Sequence, residues 1–138
     1  MPSFTFSIMP DSLNILFVDD DADRYRAFAR KKRPQDRLVY VETVESALDM
    51  LRSEVFDIVF LDHDLGEGNL EGKDLVKYIC AQQMPLDCIF IIHSMNSVGG
   101  MNMKNMLSDC GYTALYWSGA WKKSYGVKDS SFYFGGIQ

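Results

Sequence analysis

The chain is poor in cysteine and histidine, the residues on which several common classes of functional site depend. Its 138 residues include two histidines and three cysteines, Cys80, Cys88 and Cys110. The cysteines form no CxxC pair, and their odd number argues against a disulfide framework, so we interpret all three as reduced core residues. The sequence also has no phosphate-binding P-loop, no nucleophile elbow and no cluster of zinc-binding cysteines.

Long apolar runs and an excess of positive charge are missing as well. No apolar run approaches the roughly 20 residues of a membrane span. Residues 1–10 lack the basic segment and long apolar stretch of a secretory signal, so we expect a cytoplasmic protein without a membrane partner. The net charge of −5 excludes the basic surface of a general nucleic-acid binder. A small phosphate-bearing ligand is compatible with this charge if a bound cation offsets local acidity.

What the sequence does contain is an alternation of strand and helix signals. The length fits a single domain, and a hydrophobic content of 47% can supply its core. Apolar runs bounded by polar turns predict strands at 14–18, 38–41, 58–61, 88–92 and 113–116. The third run is continuously hydrophobic, as expected when helices cover both faces of a sheet.

Four segments between these strands have the apolar period of amphipathic helices. The first spans 22–32 and is capped by Asp21, and the second follows a cap at Thr43. The third follows a loop at 62–72, and the fourth follows a loop at 94–100 and stops at Gly111. The residues expected on their inward faces are Ala22, Tyr25, Phe28 and Ala29, then Val44, Ala47, Leu48, Leu51 and Val55, then Leu75, Val76, Ile79 and Cys80, and finally Met103, Met106, Leu107 and Cys110.

This alternation predicts an α/β fold with a parallel sheet and right-handed crossovers. The commonest such arrangement is the flavodoxin-like, doubly wound sheet with strand order 2-1-3-4-5. We expect one domain over 1–138, with a core at about 13–117, an N-terminal extension at 1–12 and a C-terminal tail at 118–138. The last helix is expected to be short or replaced by the tail, whose aromatic residues would pack on a sheet edge: Trp117, Trp121, Tyr125, Phe132, Tyr133 and Phe134.

Acidic residues follow the first and third predicted strands. Asp21 is explained as a helix cap, but adjacent carboxylates at Asp19, Asp20 and Asp21 repel each other unless a positive charge lies between them. The C-terminal ends of strands 1, 3 and 4 line the ligand crevice of such a sheet, which brings Asp62 close to Asp19 and Asp20. The pattern therefore favours an oxygen-ligand pocket for Mg²⁺, or alternatively Mn²⁺, over plain capping.

Both histidines are expected at the same crevice. His63 lies between two acids in Asp62-His63-Asp64, which favours its charged form and orients its ring for proton transfer. His93 ends the fourth strand and is followed by Ser94 and Asn96, in a loop whose hydroxyl, amide and backbone donors can hold a phosphate. We expect the two rings to face each other and to divide the roles of general acid and general base. The spacing does not say which histidine takes which role.

From residue 14 to residue 116 the chain resembles the receiver domains of response regulators. Asp19 and Asp20 are similar to the acid pocket of those domains, and Asp62 is similar to their phosphoacceptor aspartate. Two features differ. His93-Ser94 stands where receivers have a threonine or serine followed by a small residue. The lysine expected after the fifth strand is out of register, because Tyr116-Trp117-Ser118 occupies that place and Lys122 and Lys123 come later.

A closer resemblance is to the cyclic-phosphate-processing receiver domains. It is carried by Leu61-Asp62-His63-Asp64-Leu65-Gly66, by Gly72, and by His93-Ser94-Met95-Asn96 followed by Gly99 and Asn102-Met103. Ser97 stands where that family is expected to have proline. The resemblance implies that Asp19, Asp20 and Asp62 form the metal pocket. It implies phosphate handling for His63, His93, Ser94 and Asn96.

The leading hypothesis is a metal-dependent cyclic phosphodiesterase or phosphoesterase that acts on a small phosphate-bearing ligand, such as a cyclic nucleotide. His63, His93 and Asp62 would be its catalytic residues, and Ser94, Asn96 and Asp64 would bind the substrate. A first alternative is a signalling module in which Asp62 accepts phosphate and a protein partner binds nearby. A second alternative is a domain that binds a cyclic nucleotide without cleaving it.

Overall fold

A computed structural model describes residues 11–66 and 70–117. Within these ranges the chain alternates five strands and four helices. In chain order they are β1 (Asn14–Val18), α1 (Ala22–Lys31), β2 (Arg37–Val41), α2 (Val44–Ser53), β3 (Ile58–Asp62), α3 (Gly72–Gln82), β4 (Ile89–His93), α4 (Ser97–Asp109) and β5 (Thr113–Trp117). The predicted elements are all present, with bounds within two residues of the prediction except at the start of α4, which lies four residues earlier.

The five strands form one parallel sheet in the order β2-β1-β3-β4-β5, which confirms the predicted flavodoxin-like fold. The order reverses between β1 and β3, and the C-terminal ends of β1, β3 and β4 therefore lie side by side. In this register Asp62 lies opposite His93, and His93 lies opposite Trp117. The sheet thus places these three residues in one row along its C-terminal edge.

Alternate residues of the strands point to opposite faces of the sheet and pack into two separate cores. On one face, here called the α1 face, Phe17, Phe60, Ile91 and Trp117 pack with Phe28 of α1. The other face, here called the α4 face, is covered by α2, α3 and α4, and its strand residues are Leu16, Val18, Val59, Leu61, Phe90 and Ile92. Helices on both faces explain why β3 and β4 are buried along their whole length.

The helix starts follow the predicted capping chemistry. The side chain of Asp21 accepts hydrogen bonds from the backbone N–H groups of Asp23 and Arg24, and Thr43 accepts one from Ser46. At the start of α3, Glu71 and Asp74 form a reciprocal capping box.

Three details differ from the sequence-based expectations. Helix α2 ends at Ser53, so Val55 lies beyond it and is 81% exposed instead of inward. Helix α4 starts at Ser97 and not after Gly100, because Asn96 caps it. Cys110 is exposed at the end of this helix.

The remaining cysteines and the aromatic tail can be compared with the expectations only in part. Cys88 is buried, while Cys80 is partly buried, and burial together with a hydrogen bond to Cys110 raises the pKa of Cys80 to about 12. Trp117 is buried as a packing residue, but the other predicted tail aromatics lie outside the described residues. Among the helices of the described ranges, none has the length and apolar character needed to cross a bilayer.

Candidate functional site

The C-terminal edge of the sheet carries two buried carboxylates on neighbouring strands. Asp19 directly follows β1 and is 0% exposed, and Asp62 ends β3 and is 2% exposed. Asp20, the next residue after Asp19, lies at the rim with a side chain that is 37% exposed. Two buried negative charges on neighbouring strands require compensation, because desolvation and mutual repulsion both disfavour them.

The compensating charge comes from Arg24, in the first turn of α1. Its Nη2 donates to Oδ1 of Asp19 at 2.8 Å and to Oδ2 of Asp62 at 3.1 Å, while its Nε donates to Oδ2 of Asp19 at 2.9 Å. Its Nη1 donates to Oδ2 of Asp21 at 3.0 Å. The planar guanidinium therefore joins both buried carboxylates to the cap of α1, a geometry that suits arginine better than lysine.

These contacts also determine the protonation of Arg24. Burial alone would lower the pKa of the guanidinium, but the hydrogen bond to Asp19 and the charges of Asp19, Asp62 and Asp21 outweigh it and raise the pKa. Arg24 is therefore positively charged at neutral pH. The sequence reasoning missed this residue. Its position could have indicated this role, because Arg24 lies in the first turn of a helix that starts three residues after Asp19.

His93 lies beside this ionic network, on the α1 face. Its ring is 0% exposed, and its Nδ1 is 3.6 Å from Oδ2 of Asp19. The ring stacks on Phe17 with centroids 5.2 Å apart and planes at 23°, and it meets Phe60 edge-on at 6.2 Å. These aromatic neighbours separate His93 from solvent.

His63 lies on the other side of the sheet edge. Its Nδ1 is 2.8 Å from Oδ1 of Asp64, as predicted from their adjacency, and its backbone carbonyl accepts a hydrogen bond from Gly72. The ring packs on Gly99 in the first turn of α4, where an added Cβ would come within 2.6 Å of both Cδ2 and Nε2. Glycine at position 99 therefore creates the space that the imidazole occupies.

The expectation that the two imidazoles face each other is not met. The ring of His93 packs with Phe17 on the α1 face, whereas the ring of His63 packs against α4 on the opposite face. The physical reason is the alternation of strand side chains. His93 is in register with Asp62 and points to the same side, so His63, one residue later, points away from both.

Ser94 and Asn96 shape the turn that leads into α4. Oγ of Ser94 accepts a hydrogen bond from the N–H of Asn96 at 3.0 Å, and Oδ1 of Asn96 accepts one from the N–H of Gly99 at 2.9 Å. Ser94 is fully buried, and its carbonyl accepts a hydrogen bond from the hydroxyl of Tyr116. Both side chains thus hold the start of α4 beside His63.

Among the described residues, two groups of side chains have the donor atoms of a metal site. Asp19, Asp20 and Asp62 each offer a carboxylate oxygen, and these oxygens lie within 4.8 Å of one another. An all-oxygen donor set fits Mg²⁺ or Mn²⁺. The second group consists of His63, Asp64 and Glu71. Glu71 was not among the site residues expected from the sequence.

At the end of β5 the chain has an aromatic residue where a receiver domain has its lysine. Trp117 is the last residue of β5, lies opposite His93 and is 0% exposed. Within the part of the chain that the structure describes, Arg24 from the start of α1 supplies a positive charge next to Asp62. This guanidinium reaches the carboxylate from α1 and not from the end of β5.

Most of the chain matches the model of a known protein family. The family model described as the cyclic-phosphate processing receiver domain matches residues 14–109. The chain belongs to this family. The match spans the strands and helices from β1 to α4, including Asp19, Asp62, His63 and His93. No curated protein sequence matches the chain.

Solved structures with the same fold are receiver domains of response regulators. The phosphorylated cyanobacterial phytochrome response regulator RcpA is 15% identical, with a TM-score of 0.60 over 78% of this chain and 80% of that one. The receiver domain of the Francisella response regulator 1452 is 18% identical, with a TM-score of 0.57 over 75% and 83%. The non-phosphorylated HemR receiver domain from Leptospira biflexa is 24% identical, with a TM-score of 0.53 over 75% and 79%. Identities this low establish the fold alone.

Proposed function

We propose that this domain hydrolyses a cyclic phosphate diester at the C-terminal edge of its sheet. The observation that carries the proposal is the meeting of Asp19, Asp20 and Asp62 at this edge, where the residue after Asp62 is a histidine oriented by a carboxylate. Membership in a family described by cyclic-phosphate processing supports the same reaction class. In that reaction water adds to phosphorus, one ester P–O bond breaks, and the departing oxygen takes up a proton.

The acidic trio is the proposed metal pocket. Asp19, Asp20 and Asp62 would hold Mg²⁺ or Mn²⁺, which polarises phosphoryl oxygens and offsets their charge when bound. Asp19 and Asp62 are buried at the ends of β1 and β3, whereas Asp20 at the rim is more exposed. The two buried carboxylates would therefore provide a rigid base for the pocket.

His63 is the proposed proton-transfer residue. Its Nδ1 is held by Asp64, which orients the ring for proton transfer. Its Nε2 lies against Gly99 in the first turn of α4. A phosphate bound by the N–H groups of this helix start would lie next to Nε2. Asp64, at the exposed end of this pair, and the turn formed by Ser94 and Asn96 would complete the substrate site.

For His93 we propose a positioning role in place of proton transfer to the substrate. The ring is enclosed by Phe17 and Phe60 and lies 3.6 Å from Asp19. A side chain with this packing would fix the orientation of the Asp19 carboxylate. The predicted division of acid and base roles between two histidines is thereby reduced to one histidine.

The phospho-accepting alternative receives less support from the geometry. Oδ2 of Asp62 accepts a hydrogen bond from Arg24, and the β5 position that would carry the receiver lysine is Trp117. A phosphorylated Asp62 would have to break the first contact without gaining the usual lysine partner. Incubation with an acyl-phosphate donor should therefore leave Asp62 unmodified.

The test is an assay of 2′,3′-cyclic and 3′,5′-cyclic nucleotides with Mg²⁺ or Mn²⁺. We expect turnover by the wild-type protein and a loss of about 10²–10⁴-fold in His63→Ala, the range typical of general acid–base residues. Asp62→Asn should also lose activity, whereas Asp49→Asn, an exposed acid on α2, should retain it. Absence of wild-type turnover, or full activity in His63→Ala, would refute the proposal. Tight binding of intact nucleotide would instead indicate the binding-only alternative.

A further inference from the structure

The guanidinium of Arg24 lies among the three carboxylates of the proposed metal pocket. Its Nη2 is 2.8 Å from Oδ1 of Asp19, 3.1 Å from Oδ2 of Asp62 and 3.8 Å from Oδ1 of Asp20. One nitrogen atom is therefore close to an oxygen of each of the three acids. It occupies the position at which these carboxylates converge.

A divalent cation and this guanidinium cannot use the same oxygens at the same time. Mg²⁺ binds carboxylate oxygens at about 2.0–2.1 Å and carries a double positive charge. It would both repel Arg24 and take the lone pairs to which Nη2 and Nε now donate. Cation binding therefore requires that the side chain moves.

We propose that Arg24 is the resident counter-ion of the pocket, that a divalent cation binds only after displacing it, and that the displaced guanidinium then binds the phosphate group of the substrate. This inference rests on the proposed function, because it takes the acidic trio as the cation site. It adds Arg24, which would exchange between the carboxylates of the pocket and the phosphate group of the substrate. It also defines the ligand pair: a divalent cation for the acids and a phosphate for the arginine.

The surroundings of Arg24 provide a path for this movement. Its side chain is 22% exposed, and a surface depression of about 390 Å³ adjoins it, lined by Asp20, Asp21, Ala22, Asp23, Arg24 and Arg26. Nη1 is already bonded to Asp21, whose side chain is 39% exposed at the rim. Rotation about the side-chain torsions can move the guanidinium outward while this rim contact is kept. Its planar pair of donors then matches two oxygens of a phosphate.

The need to displace Arg24 should lower the measured affinity of the pocket for the cation. If the state with Arg24 displaced is populated at about 1–10%, the apparent affinity for the cation is reduced about 10–100-fold relative to an open pocket. Removing the positive charge should abolish this reduction. The same removal should weaken phosphate binding, because the guanidinium is then missing. Opposite changes in the two affinities distinguish exchange from a purely structural role.

The first experiment measures Mn²⁺ binding by electron paramagnetic resonance in the wild type, Arg24→Gln and Arg24→Lys. We expect Arg24→Gln to bind Mn²⁺ about 10–100-fold more tightly than the wild type, and Arg24→Lys to remain close to it because the charge is kept. Arg26→Gln is the matched control, since it removes the same charge from α1 at an exposed pair with Asp23. It should change the affinity no more than a few-fold.

The second experiment measures binding of inorganic phosphate by calorimetry at saturating Mg²⁺. Phosphate affinity should fall about tenfold or more in Arg24→Gln and remain unchanged in Arg26→Gln. Equal phosphate affinity in wild type and Arg24→Gln would remove the second half of the proposal. If Arg24→Gln is unfolded without metal, the proposal requires that Mn²⁺ restores its circular dichroism spectrum, and failure to do so overturns it.

The outcomes separate this inference from the proposed function. Equal Mn²⁺ affinities in wild type and Arg24→Gln, both lost in Asp62→Asn, would overturn the exchange and leave the metal pocket intact. Absence of Mn²⁺ binding in every variant would overturn both. Tighter binding in Arg24→Gln that is lost in Asp62→Asn supports both.

Discussion

The two sides of the sheet edge differ in how their charges are held. On the α1 face, Asp19 and Asp62 are buried and are joined through Arg24. On the α4 face, His63 pairs with Asp64, whose side chain is 58% exposed. The first is a closed ionic network and the second is an open rim. Buried charges without a partner cost several kcal/mol, whereas exposed pairs contribute about 0–1 kcal/mol.

This difference implies that stability and the proposed reaction depend on different residues. On the α1 face, Asp19, Asp62 and Arg24 hold the sheet edge together and form the proposed cation pocket, so their substitution should affect both stability and cation binding. On the α4 face, the His63–Asp64 pair contributes little to stability and can be changed with effects mainly on the proposed reaction. The separation arises because Asp62 and His63 are consecutive and therefore leave the strand in opposite directions.

The sharpest test of the comparison is the stability of Asp19→Ala against that of Asp64→Ala. Asp19 accepts hydrogen bonds from Asp21 and Arg24 in a buried site, so its loss should lower the free energy of unfolding by about 3–5 kcal/mol. Asp64→Ala should lower it by about 1 kcal/mol or less. Urea unfolding monitored by circular dichroism gives both values. Similar values for the two variants would contradict the distinction between closed network and open rim.

A smaller effect is expected from Gly99→Ala, which tests the α4 side alone. The new Cβ would lie 2.6 Å from Cδ2 and Nε2 of His63, so the ring must rotate away. A displacement of this kind can reduce turnover by about 10²-fold. The net change in stability should stay within about 1 kcal/mol, because alanine favours the helix by a similar amount. Turnover of the cyclic nucleotide and the NMR shifts of the His63 ring are the measurements.

The adjacent glycine offers the matched control for this substitution. In Gly100→Ala the added Cβ would lie 2.6 Å from Cε1 of Tyr116 and not near His63. The NMR shifts of His63 should therefore stay at their wild-type values, while the tyrosine resonances move. Equal shifts of His63 in both variants would mean that the space at Gly99 is not what positions the ring.

The smallest effect is in the alkaline titration of Tyr40, which reports on the charge of the α1 side. Burial, followed by the charges of Glu42, Asp19, Asp20 and Asp21, raises the pKa of Tyr40 to about 12. Because ionisation is disfavoured in the folded state, its contribution to stability is present below an unfolded pKa of about 10 and is lost as pH rises through 12. Ultraviolet absorbance of the phenolate measures the midpoint.

Two variants make this titration specific. Asp20→Asn removes one of the charges that raise the pKa, so the midpoint of Tyr40 should move toward its ordinary value. Asp64→Asn, on the opposite face, should leave it in place. If both variants shift the midpoint equally, the two sides are not electrostatically separate.

Much of the fold could be predicted from short stretches of sequence. The apolar run of β3, the caps Asp21 and Thr43, and the parallel strand order were all expected and are confirmed. These features depend on neighbours within a few residues or on the small number of ways to connect parallel strands. The errors lie at boundaries. The predicted loop at 94–100 is shorter than expected, because Asn96 caps α4 and its spacing to Gly99 fits a helix cap.

The approach of the acids could be predicted from the sequence, but the predicted arrangement of the two histidines was wrong. Asp19 and Asp62 follow strands that are adjacent in the commonest order, so their approach follows from topology. The period of two along a strand could also have placed Asp62 and His63 on opposite faces. The expectation of facing imidazoles considered the sheet edge and neglected the direction of each side chain.

The sequence by itself determined the parallel sheet and the acids at its edge, because hydrophobic period, capping and strand connection are local properties. The motifs at 61–66 and 93–96 carried the resemblance to the family. Only the tertiary structure decided that Arg24 lies among the acids, that His93 is enclosed by aromatic rings and that Gly99 makes room for His63. These contacts join residues distant in sequence, or a long flexible side chain to a distant partner. Their distances depend on how α1 and α4 pack on the sheet, which no local pattern specifies.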